Sequence, residues 1–370
     1  MIPVFRPSVG DEELAAIGEA LKSGWIGLGP RTREFEEKFA QCLGVNYVAG
    51  MNSATAALHL ALKVLDIGPG DEVISPSLTF VSSNHAILYN GATPVFADVD
   101  EDTLCVDPED IARKITAKTK AILVMHYGGH PCDMDPILDL ARQKGILVVE
   151  DAAHACGSEY KGRKAGTIGD IGCFSFHAVK NLTMGEGGAV ATNDRVAYEH
   201  LLKLRWVGIS HDTWKRSETG EKYSWYYEVE ELGYKYHMND IAAAIGLVQL
   251  GKLHRLNERR REIVALYNER FKDLPWLQTP VEKEWASSAC HNYVVKVEKR
   301  DQFMRHLGER GIASSVHYIP NHHYSMYSQF RADVPVTERV WKRLVTLPLY
   351  PDLTPDDINC IVEAVRSFPV

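Results

Sequence analysis

The chain has 370 residues, 45% hydrophobic and 24% charged, the balance of a soluble globular protein rather than a disordered one. Its 41 basic and 49 acidic residues give a net charge of −8, which speaks against a nucleic-acid partner, and no apolar run is long enough to span a bilayer. The seven cysteines are odd in number and form no CxxC pair, which excludes a disulfide framework and fits reduced thiols in the cytoplasm.

Met1-Ile2-Pro3-Val4-Phe5-Arg6-Pro7 has no apolar signal core, so the expected location is cytoplasmic. From residue 46 to about 192, short β-rich runs at 47–49, 72–74, 93–96, 121–124 and 145–149 alternate with helical spacing at 54–65, 80–89 and 134–144. That rhythm implies an α/β fold with a mostly parallel central sheet flanked by helices. Runs 171–176 and 188–191 flank a glycine-rich turn and read as neighbouring antiparallel strands. Residues 211–233 are polar and aromatic, with Trp214, Tyr223, Trp225, Tyr226 and Tyr227 but no period; a functional loop and simple aromatic packing fit equally. From Asn239 an apolar period runs to Phe271, a linking helix into a smaller α+β unit. The expected division is 1–250 for a large domain with an N-terminal arm and 251–370 for the small one. Arg259-Arg260-Arg261 reads as a solvated face of that helix.

The chemistry sits at two motifs. The strand through Val149 ends in Glu150-Asp151-Ala152-Ala153-His154, at the carboxyl edge where parallel sheets bind ligands. A carboxylate there needs a cationic or hydrogen-bonding partner, although an acid capping the next helix looks the same. The second motif is Phe174-Ser175-Phe176-His177-Ala178-Val179-Lys180, leading into Gly185-Glu186-Gly187-Gly188. A lysine among apolar neighbours can lose its proton and attack an aldehyde, whereas alone it reads as a surface lysine. Together the acid and the lysine supply the two protein partners of pyridoxal 5'-phosphate (PLP), one at its ring nitrogen and one at its aldehyde carbon. Asn52-Ser53-Ala54-Thr55, between a strand and a helix, offers backbone N–H groups to a phosphate, as a plain N-cap also would. Ser175 adds a hydroxyl.

These residues resemble the DegT/DnrJ/EryC1/StrS family of sugar aminotransferases, which have the aspartate aminotransferase-like fold type I. The resemblance runs through Gly24-Trp25-Ile26, Pro76-Ser77-Leu78-Thr79-Phe80, Gly91-Ala92-Thr93-Pro94-Val95-Phe96-Ala97-Asp98, both motifs above and Tyr318-Ile319-Pro320-Asn321-His322. It implies that Lys180 is the imine-forming, proton-shuttling lysine and that Asp151 pairs with the pyridinium. It also implies that His154 lies near the ring's phenolic oxygen, that Phe80 stacks on the ring, and that Ala54, Thr55 and Ser175 hold the phosphate. Trp25 and His322 are taken as substrate-facing. Family members are homodimers with shared active sites, completed by the segment that is residues 233–240 here and opens Gly233-Tyr234-Lys235-Tyr236-His237. Lys235 replaces the family's usual asparagine, and three roles stay open for it: a cation for the partner's cofactor phosphate, a cation for a substrate phosphate, or neither. A further departure is Arg205-Trp206, where many members carry a histidine after Leu-Arg.

The implied reaction moves an amino group from L-glutamate to a keto carbon, C4 before C3, of a nucleotide-linked keto-deoxysugar, in amino-sugar and polysaccharide biosynthesis. An inosose aminotransferase shares the motifs. A PLP-dependent sugar dehydratase is disfavoured because those relatives replace the lysine with histidine. A silent, ligand-binding regulator would not need Asp151, His154 and Lys180 together, and no GxGxxG follows a strand. His317, His322 and His323 match no standard metal spacing, so no metal is expected.

Overall fold

The computed structural model describes residues 1–209 and 227–369. Most of the aromatic loop at 211–233 therefore lies outside the described residues, including Trp214, Tyr223, Trp225 and Tyr226. In chain order the first elements are α1 (Asp11–Lys22), α2 (Pro30–Leu43), β1 (Tyr47–Met51), α3 (Ala54–Val64), β2 (Glu72–Pro76), α4 (Val81–Tyr89) and β3 (Thr93–Ala97). They are followed by α5 (Pro108–Lys114), β4 (Thr119–Met125), α6 (Met134–Lys144), β5 (Leu147–Asp151), β6 (Glu159–Tyr160), β7 (Arg163–Lys164), β8 (Ile171–Ser175), β9 (Gly188–Thr192) and α7 (Arg195–Leu204). The C-terminal part contains α8 (Asp240–Phe271), β10 (Leu277–Gln278), β11 (Ala286–Ser287), β12 (Tyr293–Val297), α9 (Arg300–Glu309), α10 (Pro335–Val340), β13 (Leu344–Leu347) and α11 (Pro355–Arg366).

Seven strands form the main sheet in the order β1-β9-β8-β5-β4-β2-β3. The pairs β2–β3, β2–β4, β4–β5 and β5–β8 are parallel, whereas β9 runs antiparallel to both β8 and β1. The central strands have to be apolar on both faces because helices cover both. Ile122, Leu123 and Val124 of β4 and Val149 of β5 have no exposed surface. One face packs on Leu58, Leu60 and Leu62 of α3, and the other carries Phe35, Phe39, Phe174 and Phe176 in edge-to-face contacts. Losing one such phenyl, as in Phe39→Ala, costs ~3–5 kcal/mol by transfer and cavity terms.

A second core gathers Ile263, Tyr267 and Phe271 of α8 with β12, β13, α9 and α11. Residue 250 falls within α8, which is unbroken across it. The N-terminal arm joins this second core rather than the main sheet. Ile2 bridges to Ile312, and Leu349 N donates to Val4 O at 3.1 Å. The arginine run is also not a solvated face. Arg260 is buried, with Nη1 donating to Leu349 O at 3.0 Å, and Arg261 Nε donates to Ser288 O at 2.8 Å. The guanidinium groups satisfy carbonyls that the C-terminal segments would otherwise bury unpaired, which the helical period could not reveal. Among the described residues no helix is long and apolar enough to cross a membrane, and all seven cysteines are free.

Candidate active site

Strand alternation separates the two acids at the end of β5. Glu150 points into the core and accepts from His126 Nε2 at 2.8 Å and from the backbone N–H groups of Gly166, Ile168 and Gly169. Burial pushes this carboxyl up, but His126 and the backbone donors outweigh it and hold it below the usual carboxylate range. Cys132 N donates to His126 Nδ1 at 3.0 Å, so the His126 proton sits on Nε2, facing Glu150. This pair is structural.

Asp151 opens the other way, into a cavity of about 330 Å³ at the carboxyl end of the sheet. It is 3% exposed, and it accepts from Ser83 Oγ at 2.7 Å and from Ala153 N at 3.1 Å. Burial raises its pKa, and the pull of Ser83, the backbone donor and Lys180 does not offset it. A buried carboxyl held this way is short of a cation.

Lys180 lies in the connection between β8 and β9, where Lys180 N donates to His177 O in a tight turn. It lines the same cavity and keeps part of its surface open to it. Enough protein surrounds it that desolvation draws its ammonium down to about 8, against the attraction of Asp151. The acid and the amine, distant in the chain, therefore face one space.

The remaining wall comes from several elements. Ser53 caps α3, its Oγ accepting from Ala56 N at 3.1 Å, so the open N–H groups of the first turn, at Ala54 and Thr55, border the cavity. Thr55 Oγ1 and Ser82 Oγ are 2.7 Å apart, and Ser175 ends β8 beside them. His154 is buried, taking Gly128 N–H at Nδ1 and facing Tyr318 OH at Nε2, 3.0 Å away. Burial and the neighbouring Lys180 push its pKa well down, so it is neutral. Phe80 is 54% exposed at the mouth, its ring 5.8 Å from that of Tyr318.

Two residues expected to face substrate, Trp25 and His322, lie away from this cavity, as does Lys235, which was expected to serve the partner's site rather than its own. Trp25 donates from Nε1 to Leu28 O at 2.9 Å and does not line the cavity. Lys235 places its ammonium 3.2 Å from the centre of the Trp206 ring, although its backbone carbonyl accepts from Asn52 beside α3. His322 is tied to Ser77 Oγ at 2.5 Å and Glu338 Oε1 at 2.6 Å, behind the loop that carries Phe80. His323 reaches the same Glu338 oxygen at 2.5 Å, so the two imidazoles and Glu338 form a cluster that the spacing of the histidines did not suggest. Burial raises the Glu338 pKa, yet the hydrogen bonds from the two histidines outweigh it and bring the group to about 2.

The cavity also contains Tyr318, from a segment that carried the family resemblance, and residues no motif marked: Phe5 from the arm, Ser82, His291 and His317. Phe5, Ser82, His291 and His317 come from segments remote from both motifs, so no local pattern announces them.

The set suits PLP. A protonated pyridine nitrogen would give Asp151 its missing cation, the α3 N-terminus and its hydroxyls would take a phosphate, and the low-pKa amine would meet an aldehyde.

A model of the DegT/DnrJ/EryC1/StrS aminotransferase family matches residues 7–366. The spore coat polysaccharide biosynthesis protein SpsC of Bacillus subtilis is 44% identical over 378 aligned positions, covering 99% of this chain and 97% of that protein. The aminotransferase TlmJ from Streptoalloteichus hindustanus superposes with a TM-score of 0.93 at 38% identity, covering 99% and 98% of the two chains. Spr1654 from Streptococcus pneumoniae, in its PLP-form, superposes with a TM-score of 0.92 at 34% identity, covering 99% and 98%.

Proposed function

The chain belongs to the DegT/DnrJ/EryC1/StrS aminotransferase family and is a PLP-dependent sugar aminotransferase, and from that premise we propose its reaction: transfer of the amino group of L-glutamate to the keto carbon of a nucleotide-linked keto-deoxysugar, C4 in preference to C3. The product is an amino sugar for polysaccharide assembly, made in the cytoplasm by a homodimer. The polysaccharide role named for the 44%-identical SpsC supports the acceptor class. The observation that carries the reading is that Lys180 and Asp151 line one cavity with the N-terminus of α3.

When bound, PLP supplies a carbonyl carbon for amine exchange and a ring that takes up electron density. The protein does the rest. Asp151, oriented by Ser83 and Ala153 N–H, would hold the ring nitrogen protonated. Lys180 Nζ, free of its proton part of the time near neutral pH, takes the proton from the donor's α-carbon and returns one to the acceptor's carbon. Ala54, Thr55 and Ser175 would hold the phosphate, and Phe80 would lie against the ring. His154, neutral and fixed by Gly128, would stand near the phenolic oxygen without adding charge.

The test is a panel of nucleotide-linked 3- and 4-keto sugars with L-glutamate, read by product mass. The expected result is a product one amino group richer, with 4-keto acceptors turned over faster, and no product from Lys180→Ala. Uniform silence across the panel, with turnover of a keto-cyclitol, would overturn the acceptor.

A further inference from the structure

One group touches Lys180 Nζ that neither motif contains. His291 Nε2 lies 3.4 Å from it. His291 is 2% exposed, with the Phe5 ring stacked 5.4 Å away at 3° and the His154 ring 4.3 Å away. The protonation of its two nitrogens can be read from their surroundings. Asn257 Nδ2 donates to the Cys156 carbonyl at 2.9 Å, which turns Asn257 Oδ1 toward Asn181. Both hydrogens of Asn181 Nδ2 are then spent, on Asn257 Oδ1 and on the Ala289 carbonyl, each at 2.8 Å. A flipped Asn181 would set oxygen against two oxygens. Asn181 Oδ1 therefore faces His291 Nδ1 at 3.0 Å and can only accept, so the His291 proton is on Nδ1 and the lone pair of Nε2 faces the lysine.

Resting on the reading of Lys180 as the reactive amine, we infer that His291 is its positioning residue. Held as the Nδ1–H form by the amide chain Cys156–Asn257–Asn181, it takes one hydrogen bond from Lys180 Nζ and leaves the rest of the amine turned into the cavity. The ionisable groups facing the pair are Asp151 at the end of β5, His154, His317 and Arg260 of α8. Burial, with Lys180 and His154 behind it, pushes His291 well below the ordinary histidine range, so the proton stays on the lysine. An acceptor that cannot itself become charged favours the ammonium form over an apolar neighbour. It thereby sets how low the lysine pKa falls without trapping the proton.

The test uses the full-length chain after cofactor removal. Lys180 acylation is followed against pH by peptide mass, in the parent protein and in His291→Gln and His291→Leu. Glutamine keeps an acceptor near the Nε2 position, and leucine removes it. The expected parent midpoint is near 8. It should fall by about one pH unit in His291→Leu and stay within about 0.3 of a unit in His291→Gln. Circular dichroism melting confirms that each variant is folded, and a variant that melts early is replaced by Asn181→Leu, which frees the imidazole while keeping it. There the midpoint is expected to fall toward the leucine value, and an unshifted midpoint overturns the role. An unshifted or raised midpoint in His291→Leu, or a glutamine variant that falls as far, overturns the role. Borohydride trapping of the holoenzyme separates the two readings. A cofactor-derived mass on a lysine other than Lys180 sinks the premise, whereas a mass on Lys180 with unshifted midpoints sinks only His291.

Discussion

Gly188 and Ser53 are in backbone contact. A β-carbon on Gly188 would lie 2.4 Å from the Ser53 carbonyl carbon and 2.6 Å from Ala54 N. The start of β9 thus backs directly onto the turn that presents the first N–H groups of α3 to the cavity. Backbone on both sides leaves nothing flexible to yield. Gly188→Ala is expected to displace that turn and weaken PLP binding by about tenfold or more, since the anion site depends on where those N–H groups point. Equilibrium dialysis against PLP reads it, with Gly10→Ala, where no atom lies within 4 Å, as the control.

Asp151→Asn should separate catalysis from stability. Removing the carboxylate opposite a ring cation should cost ~3–5 kcal/mol, about 10²–10³-fold or more in kcat/KM. The cofactor-free protein should melt no lower than its parent. Burial raises the Asp151 pKa, so the folded form holds its proton to higher pH than the unfolded one. The stability this group contributes is present at low pH and lost as pH rises through the raised value, a loss the amide does not suffer. A cofactor-free variant that melts well below the parent at pH 8 would contradict this.

Glu150→Ala is expected to act on folding. It strands His126 and three backbone N–H groups in the core, at ~3–5 kcal/mol. Because the folded pKa of Glu150 is lowered, its contribution is complete above the unfolded value of 4.5 and fades as pH falls through the lower one. Urea titrations at pH 7 and pH 4 should show a smaller gap between variant and parent at the acid end.

Lys235 has two possible employments, and one cycle distinguishes them. If its ammonium is spent on Trp206, Lys235→Met and Trp206→Leu should be coupled by ~0.5–1 kcal/mol in thermal stability, with PLP affinity little changed. If it serves a phosphate across a dimer, Lys235→Met should instead raise the PLP or sugar-nucleotide dissociation constant, and more steeply at low salt.

Much of this protein can be read locally. The alternation of apolar runs and helical periods points to the parallel sheet, because strands covered on both faces have to be apolar where the helices lie, as in residues 121–125 of β4. Glu150-Asp151-Ala152-Ala153-His154 and the Lys180 segment were legible because a strand end and a glycine-rich turn each leave a sequence mark. Helices α1 and α2 leave a weaker mark: charges interrupt their apolar faces, and only Gly29 and Gly44 at its two ends bound α2.

What only the tertiary structure decided is which remote side chains meet. His291 is 111 residues from Lys180, Ser83 is 68 from Asp151, and Arg260 reaches a carbonyl 89 residues on. The N-terminal arm, counted with the large domain on sequence order, packs on the C-terminal unit and sends Phe5 to the cavity. Such contacts have no period, because they answer to burial: each polar group shut away from water must find a partner, and the chain supplies one from wherever packing has brought it.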